Sequence, residues 1–291
     1  MNVPYNKSHS GSHIVQRWMD SYFGTKPVDC ENIGYNTKAD ENSTDIYITT
    51  FGNSWFIDYQ IKLLRLFFKS SFKIIVVDTN EDLNPEISTK IRDICTREEV
   101  VYLKPPKNHY QEKQHFDSTM KLGTTLSFLF HNCVKQREPQ YFGFLDHDCF
   151  LFNPTIMDIV LDGQGMYGTP SRNGEKWNLH VIANFFKFNY VSHLSLDFRA
   201  SYKHGLDTGG ANRDILYADK NIEDYILPHI GVRYTEQDIC RKDAVQHYEI
   251  IDNRWFHVAA TGHDQLVGDG EKKLLYAKGY LDAIIRLNSH D

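Results

Sequence analysis

The stretch YFGFLDHDCFLFN, Tyr141–Asn153, decides how the rest of the chain is read. It opens and closes as an apolar, aromatic run, with Asp146 and Asp148 in its middle, separated only by His147. In an extended chain, residues two apart point to the same face, so both carboxylates can converge on one small target while His147 alternates away and packs. An apolar run of this kind reads as a central strand covered on both faces, where unpaired charges are very costly. The strand is therefore expected to end at the pair, with the carboxylates facing a cleft that holds a cation. Hard divalent ions such as Mg²⁺ and Mn²⁺ favour carboxylate oxygen and usually share their coordination with substrate phosphates. On this reading, deleting Asp148 relieves a buried anionic cluster and leaves the melting temperature unchanged or higher.

Spacing alone decides little, since 25 Asp in 291 residues give roughly two Asp-x-Asp triplets by chance. Position gives this one its weight. Upstream, IYITTF (46–51) is β-branched and aromatic, a buried strand. GNS follows, with Ser54 placed as an N-cap, and Trp55, Tyr59, Leu63 and Leu66 then form one helical stripe. FKIIVVD (72–78) is a second strand ending in Asp78. A helix over Pro85–Thr96, the strand VVYL (100–103), the breaker Pro105-Pro106 and a long helix from Asp117 to Gln136 lead into the Asp-pair strand. Strand and helix alternating with short connections mean a largely parallel sheet flanked by helices, whose ligands bind at the carboxyl ends of the strands. The Thr50–Asn53 turn, Asp78 and Asp146 all fall at such ends.

After Pro154 the pattern changes. MYGTP (166–170) predicts a short strand and turn, and WNLHVIANFFKFNYV (177–191) a strand or strand pair. LDTGGANRDIL (206–216) predicts a helix over Asn212–Ala218 after a Gly pair, and the last segment a C-terminal helix interrupted by Gly279. Residues 1–43 are polar and read as an N-terminal extension to one domain over 44–291. Its nucleotide-binding half is expected near 44–153 and its acceptor-side half near 154–291.

Composition narrows the function classes. A net charge of −6 argues against a general nucleic-acid binder, which needs a basic face. Five widely spaced Cys with no CxxC pair fit reduced thiols better than a disulfide framework. The N-terminal residues lack the apolar core of a signal peptide, and the longest apolar cluster, Ile61–Phe68, is too short to span a bilayer. The expectation is a cytoplasmic protein with no transmembrane segment.

The chain resembles the GT-A class of nucleotide-sugar-dependent glycosyltransferases over about residues 45–265, on three features in order. ITTFGNS looks like the opening nucleotide-contacting loop. FGFLDHDCFLF looks like the Asp-x-Asp strand, and RWFHVAATGH looks like a late His-containing segment that supplies a further metal ligand. The resemblance implies Mn²⁺ or Mg²⁺, a nucleotide-sugar donor with a UDP-sugar as first expectation, and a glycan or other glycoconjugate acceptor. It implies Asp148 as a direct metal ligand, Asp146 at the metal, its waters or the donor ribose, and His257 as a third ligand, with His263 as substitute. Asp78 would contact the nucleoside, and Thr50, Phe51 and Asn53 would cradle the base or ribose, although a plain β–α turn looks similar. One of Asp207, Glu236 or Asp238 would be the general base toward the acceptor hydroxyl. That choice stays open, and inversion or retention at the anomeric carbon with it. Lys121, Arg172 and Lys176 are candidates for extra positive charge at the diphosphate.

Overall fold

The computed structural model describes residues 29–30, 35, 38–79, 84–105, 118–232, 248–258 and 269–289. A seven-stranded sheet has the order β1-β4-β3-β2-β5-β10-β7. Its strands are β1 (Asp29–Cys30), β2 (Thr44–Thr50), β3 (Phe72–Asp78), β4 (Val101–Lys104), β5 (Tyr141–Asp146), β7 (Met166–Tyr167) and β10 (Ala183–Lys187). The four central strands, β4, β3, β2 and β5, are parallel. Strands β1 and β10 run antiparallel to β4 and β5, and β7 closes the far edge. Helices α1 (Trp55–Phe67), α2 (Pro85–Arg97) and α3 (Ser118–Leu129) make the crossovers between the parallel strands. This is the expected single α/β domain with a mixed, mainly parallel central sheet flanked by helices.

A second, antiparallel sheet has the order β11-β12-β13-β6, from β6 (Cys149–Leu151), β11 (His229–Val232), β12 (Tyr248–Ile251) and β13 (Trp255–His257). The hairpin of β8 (Pro170–Asn173) and β9 (Lys176–Leu179) stands apart from both. The last helix, α4 (Asp269–Asn288), packs beside α1. A core on one side of the large sheet joins it to the second sheet and to α4 through residues such as Phe150, Phe185, Trp255 and Leu281. Gly143 makes this junction possible. It pairs with Phe185 across β5 and β10, and a Cβ there would fall 2.3 Å from the Phe185 ring. That ring stacks on Trp255, with centroids 5.7 Å apart.

Several local expectations meet a different outcome. Ser54 occupies the N-cap position of α1 but makes no side-chain capping bond; Asn53 Oδ1 accepts from the Trp55 N–H instead, at 3.1 Å. The segment after the Gly pair is a 3₁₀ turn, Gly210–Asn212, followed by one π-turn, Arg213–Tyr217. The C-terminal helix runs through Gly279 without a break. Glycine costs about 1 kcal/mol in a helix interior, and burial of Ala277 and Leu281 on either side of it outweighs that here. The segment before Asp45 contributes the edge strand β1 and the buried Tyr35, whose carbonyl accepts from Arg137 at 2.6 Å. The same guanidinium grips the buried Asp45 through Nε at 2.6 Å. Among the described residues, no helix is long and apolar enough to cross a membrane.

Candidate functional site

The Asp pair lies where the chain passes from one sheet to the other. Strand β5 ends at Asp146, His147 and Asp148 form a turn, and Cys149 begins β6 in the second sheet. Three separate elements fix the turn's backbone. Gln60 of α1, itself buried, donates Nε2–H bonds to the carbonyls of Asp146 (2.7 Å) and Cys149 (2.8 Å). The Asp146 N–H donates to Ile182 just before β10, and Val258 N–H, just after β13, donates to the Asp148 carbonyl. The carboxylates therefore converge through a tight turn rather than by alternation along a strand.

His147 does not turn away from the pair. Its ring Nδ1 and its backbone N–H both lie 2.9 Å from Asp146 Oδ1. One ligand atom from each of Asp146, His147 and Asp148 falls within 4.8 Å of the others. The ring also packs on Phe56, so the expected packing is present while the expected direction is not.

Opposite the turn, the second sheet presents a row of polar groups in an otherwise apolar layer. Register places Glu249 on β12 beside His257 on β13, and His257 beside Cys149 on β6. His257 Nδ1 is 2.8 Å from Glu249 Oε2, and its Nε2 is 3.4 Å from Asp148 Oδ1. Burial opposes a charge on this ring, but Asp148 and then Glu249 outweigh it and raise the pKa to about 10. The His257 hydrogen bond in turn lowers the pKa of Glu249 against the pull of burial. His229 on β11 reaches the other Glu249 oxygen at 3.4 Å. Lys273, buried in α4, adds a positive charge within electrostatic range of both Asp148 and Glu249; burial takes its pKa down to about 8.

This donor set fits a divalent cation. Two carboxylates and an imidazole nitrogen suit Mn²⁺ better than Mg²⁺, which prefers an all-oxygen octahedron. Glu249 on Nδ1 leaves Nε2 toward the carboxylates, the arrangement by which a carboxylate orients a metal-binding His. Asp146, His147 and Asp148 form the cluster that could hold the ion, and of the expected ligands His257 approaches it at Asp148, 3.4 Å away.

The other expected residues sort by place. Thr50 and Asp78 are level in the β2–β3 register, and Thr49 is level with Asp146, so all stand on the carboxyl edge of the sheet. Thr50 and Asp78 are both buried; the Asp78 carboxylate accepts from Thr50 Oγ1 (3.3 Å) and from the Tyr102 hydroxyl (2.8 Å). Phe51 is 41% exposed beside this edge, its ring 6.5 Å from that of His147. Asn53 caps the first helix as described above.

Asp207 lies on the loop after β10, with Oδ1 accepting from Thr208 N–H at 2.7 Å and Oδ2 3.5 Å from His180 Nε2. His180 first, and then the Thr208 N–H against the pull of burial, hold its carboxyl well below the usual carboxylate range. His180 stands just before β10 and also acts electrostatically on Glu249, which links Asp207 to the carboxylate–histidine cluster. Glu236, Asp238 and His263 lie outside the described residues.

Glu249, His180, Gln60 and Lys273 escaped the sequence reading. For Glu249 a signal was present. Asp252 and Asn253 both have positive φ (53° and 50°), and Arg254 N–H donates to the Ile251 carbonyl, as in a type I′ hairpin turn. An Asp-Asn pair between two apolar runs signals the hairpin, but Ile251 pairs with Trp255, so Arg254 is an extra residue beyond the two-residue turn, and only that shift by one puts Glu249 opposite His257. Gln60 and Lys273 sit on helical faces that look simply amphipathic, and no spacing separates them from their neighbours.

No protein-family model and no curated protein matches the chain. Among solved structures it is similar to the mannosyltransferase PcManGT from Pyrobaculum calidifontis in complex with GDP-Man and Mn²⁺, at 12% identity and a TM-score of 0.36. The match covers 69% of this chain and 58% of that one.

Proposed function

We propose that this protein is a metal-dependent glycosyltransferase that moves a sugar from a nucleoside-diphosphate sugar to an acceptor hydroxyl. The observation that carries the reading is the Asp146–His147–Asp148 turn at the carboxyl edge of the sheet, facing a His257 already oriented by Glu249. A divalent cation bound there supplies Lewis-acid stabilisation of the negative charge that develops on a departing nucleoside diphosphate.

The chain's own residues have distinct tasks. Asp146, Asp148 and His257 bind the ion, and Gln60 keeps the turn from opening by holding the carbonyls on either side of it. Exposed Phe51 offers a face for the base, next to a β2–β3 edge that Thr50, Asp78 and Tyr102 tie together. Asp207 faces the acceptor side. Held ionised by His180 and the Thr208 N–H, it is a firm hydrogen-bond acceptor that fixes a hydroxyl, and its lowered pKa makes it a weak proton acceptor.

The test is incubation with Mn²⁺ and a panel of nucleotide-sugars, with and without glycan acceptors, followed by identification of the released nucleotide. Release of a nucleoside diphosphate, even by slow hydrolysis, is the expected result. Pyrophosphate formed from a nucleoside triphosphate and a sugar phosphate would identify a nucleotidyltransferase instead. Tight donor binding without turnover would identify a binding protein on the same fold.

A further inference from the structure

Sugar transfer to a hydroxyl leaves a proton to be taken up, and none of the tasks above provides for it. Asp207 is a weak proton acceptor, with Oδ1 already taken by the Thr208 N–H at 2.7 Å. The imidazole beside it is a better one. His180 Nε2 stands 3.5 Å from Asp207 Oδ2, close enough for the carboxylate to stabilise a charge on the ring. The gap is longer than the about 2.7–2.9 Å of a full charge-assisted hydrogen bond. Both side chains are open to a ligand: 31% of His180 and 45% of Asp207 is exposed, where His147 and His257 show 9% each. His180 Nδ1 is enclosed and has no hydrogen-bond partner, which leaves Nε2 as the nitrogen that meets a substrate.

Backbone bonds put this dyad beside the Asp turn. The Ile182 carbonyl accepts from the Asp146 N–H at 2.9 Å, and His180, two residues earlier, is within about 7 Å of Ile182 along the chain. The His180 N–H donates to the Thr169 carbonyl at 2.7 Å. Asn178 Nδ2 bridges the carbonyls of Leu179 and Thr208, at 2.9 Å each, and so ties the segment of His180 to the loop of Asp207. The Gly pair of the sequence has its use here. Gly209 has φ of +91°, and a Cβ on it would stand 3.2 Å from both Asn178 Nδ2 and the Leu179 carbonyl. Glycine therefore suits both the backbone angle and the close approach of the loop.

Sugars carry neighbouring hydroxyls, and the dyad offers two acceptor atoms side by side to meet them. We propose that His180 Nε2 takes the proton of the acceptor hydroxyl, while Asp207 holds the adjacent hydroxyl and stabilises the imidazolium, so that transfer is a single displacement with inversion at the anomeric carbon. The hydroxyl oxygen bonds to the anomeric carbon as its proton passes to Nε2. The old anomeric C–O bond breaks, and its electron pair leaves with the nucleoside diphosphate. Among the described residues, the charged groups around this ring are Asp207 and, at longer range, Glu249 of β12; both favour the imidazolium. This inference rests on the sugar-transfer reading of the site.

Kinetics and binding should separate in the variants. In His180→Gln, kcat for Mn²⁺-dependent turnover of the nucleotide-sugar selected by the donor panel, with water or a glycan as acceptor, should fall about a hundredfold, the usual share of a general base. Affinity for GDP or UDP in saturating Mn²⁺, measured by calorimetry, should stay within about twofold. In His180→Ala, added imidazole should restore part of the rate, and the restored rate should rise with pH as more of the imidazole becomes neutral. Nuclear magnetic resonance of the glycoside formed by the wild type should show the anomeric configuration opposite to that of the donor. A His180→Gln protein at the wild-type rate, a His180→Ala protein that imidazole leaves unchanged, or a product with retained configuration overturns the proposal. Loss of nucleotide affinity in both variants marks a structural histidine and overturns it as well. If the wild type turns over no nucleotide-sugar, the sugar-transfer reading falls and this inference with it. If the wild type turns over a donor and His180→Gln matches it, only the inference falls.

Discussion

At the scale of single residues, Asp148 shows how far a carboxylate's surroundings change its meaning. An acidic pair in an apolar run implies repulsion that a deletion would relieve. The structure places His257 3.4 Å from Asp148, and the carboxylate raises the pKa of that buried ring, so the side chain is the counter-charge of a buried imidazolium. Removing one partner of a buried ion pair leaves the other uncompensated, which costs more than the pair contributes. Asp148→Asn should therefore lower the melting temperature by on the order of 5 °C and abolish saturable Mn²⁺ binding. Differential scanning calorimetry with a metal titration decides this. A variant that melts higher, or that keeps the wild-type metal affinity, would contradict it.

At the scale of elements, legibility followed periodicity. The parallel strands, their crossover helices and the ends bearing Asp78 and Asp146 could be read from alternation and breakers, because each pattern is local. The convergence of Asp148 with His257 could not, because it depends on the turn at 147–148 and on the pairing of β6 with β13, more than a hundred residues away in the chain. His147 was misread for the same reason: period-two alternation ends where the strand ends. Gln60 is the clearest case of a helix doing work its own pattern hides. Its amide bridges both sides of the Asp turn from a buried helical face. Gln60→Met keeps the volume and removes both donors, so two buried carbonyls lose a partner. The expected cost is about 1–3 kcal/mol, read as a lower urea midpoint with unchanged slope. An unshifted midpoint would show that the turn holds itself.

At the scale of the molecule, the chain passes from the large sheet into the second sheet and back, and the site lies at the first of these crossings, between β5 and β6. The large sheet supplies Asp146 and its edge, the second sheet supplies His257 and Glu249, and α4 packs on the second sheet through Tyr276 and Tyr280. The stacked Phe185 and Trp255 rings, with Gly143 beneath them, set the relation between the sheets and with it the distance from the Asp turn to His257. Such a cluster needs both sheets in place before any ligand arrives. The most direct test is pulsed electron paramagnetic resonance of Mn²⁺ bound to the protein with a nucleoside diphosphate. The account predicts coupling of the ion to an imidazole nitrogen and to diphosphate phosphorus in the wild type, with the nitrogen coupling lost in His257→Gln. A wild-type spectrum of hexa-aquo Mn²⁺, or a nitrogen coupling that survives in His257→Gln, would contradict it.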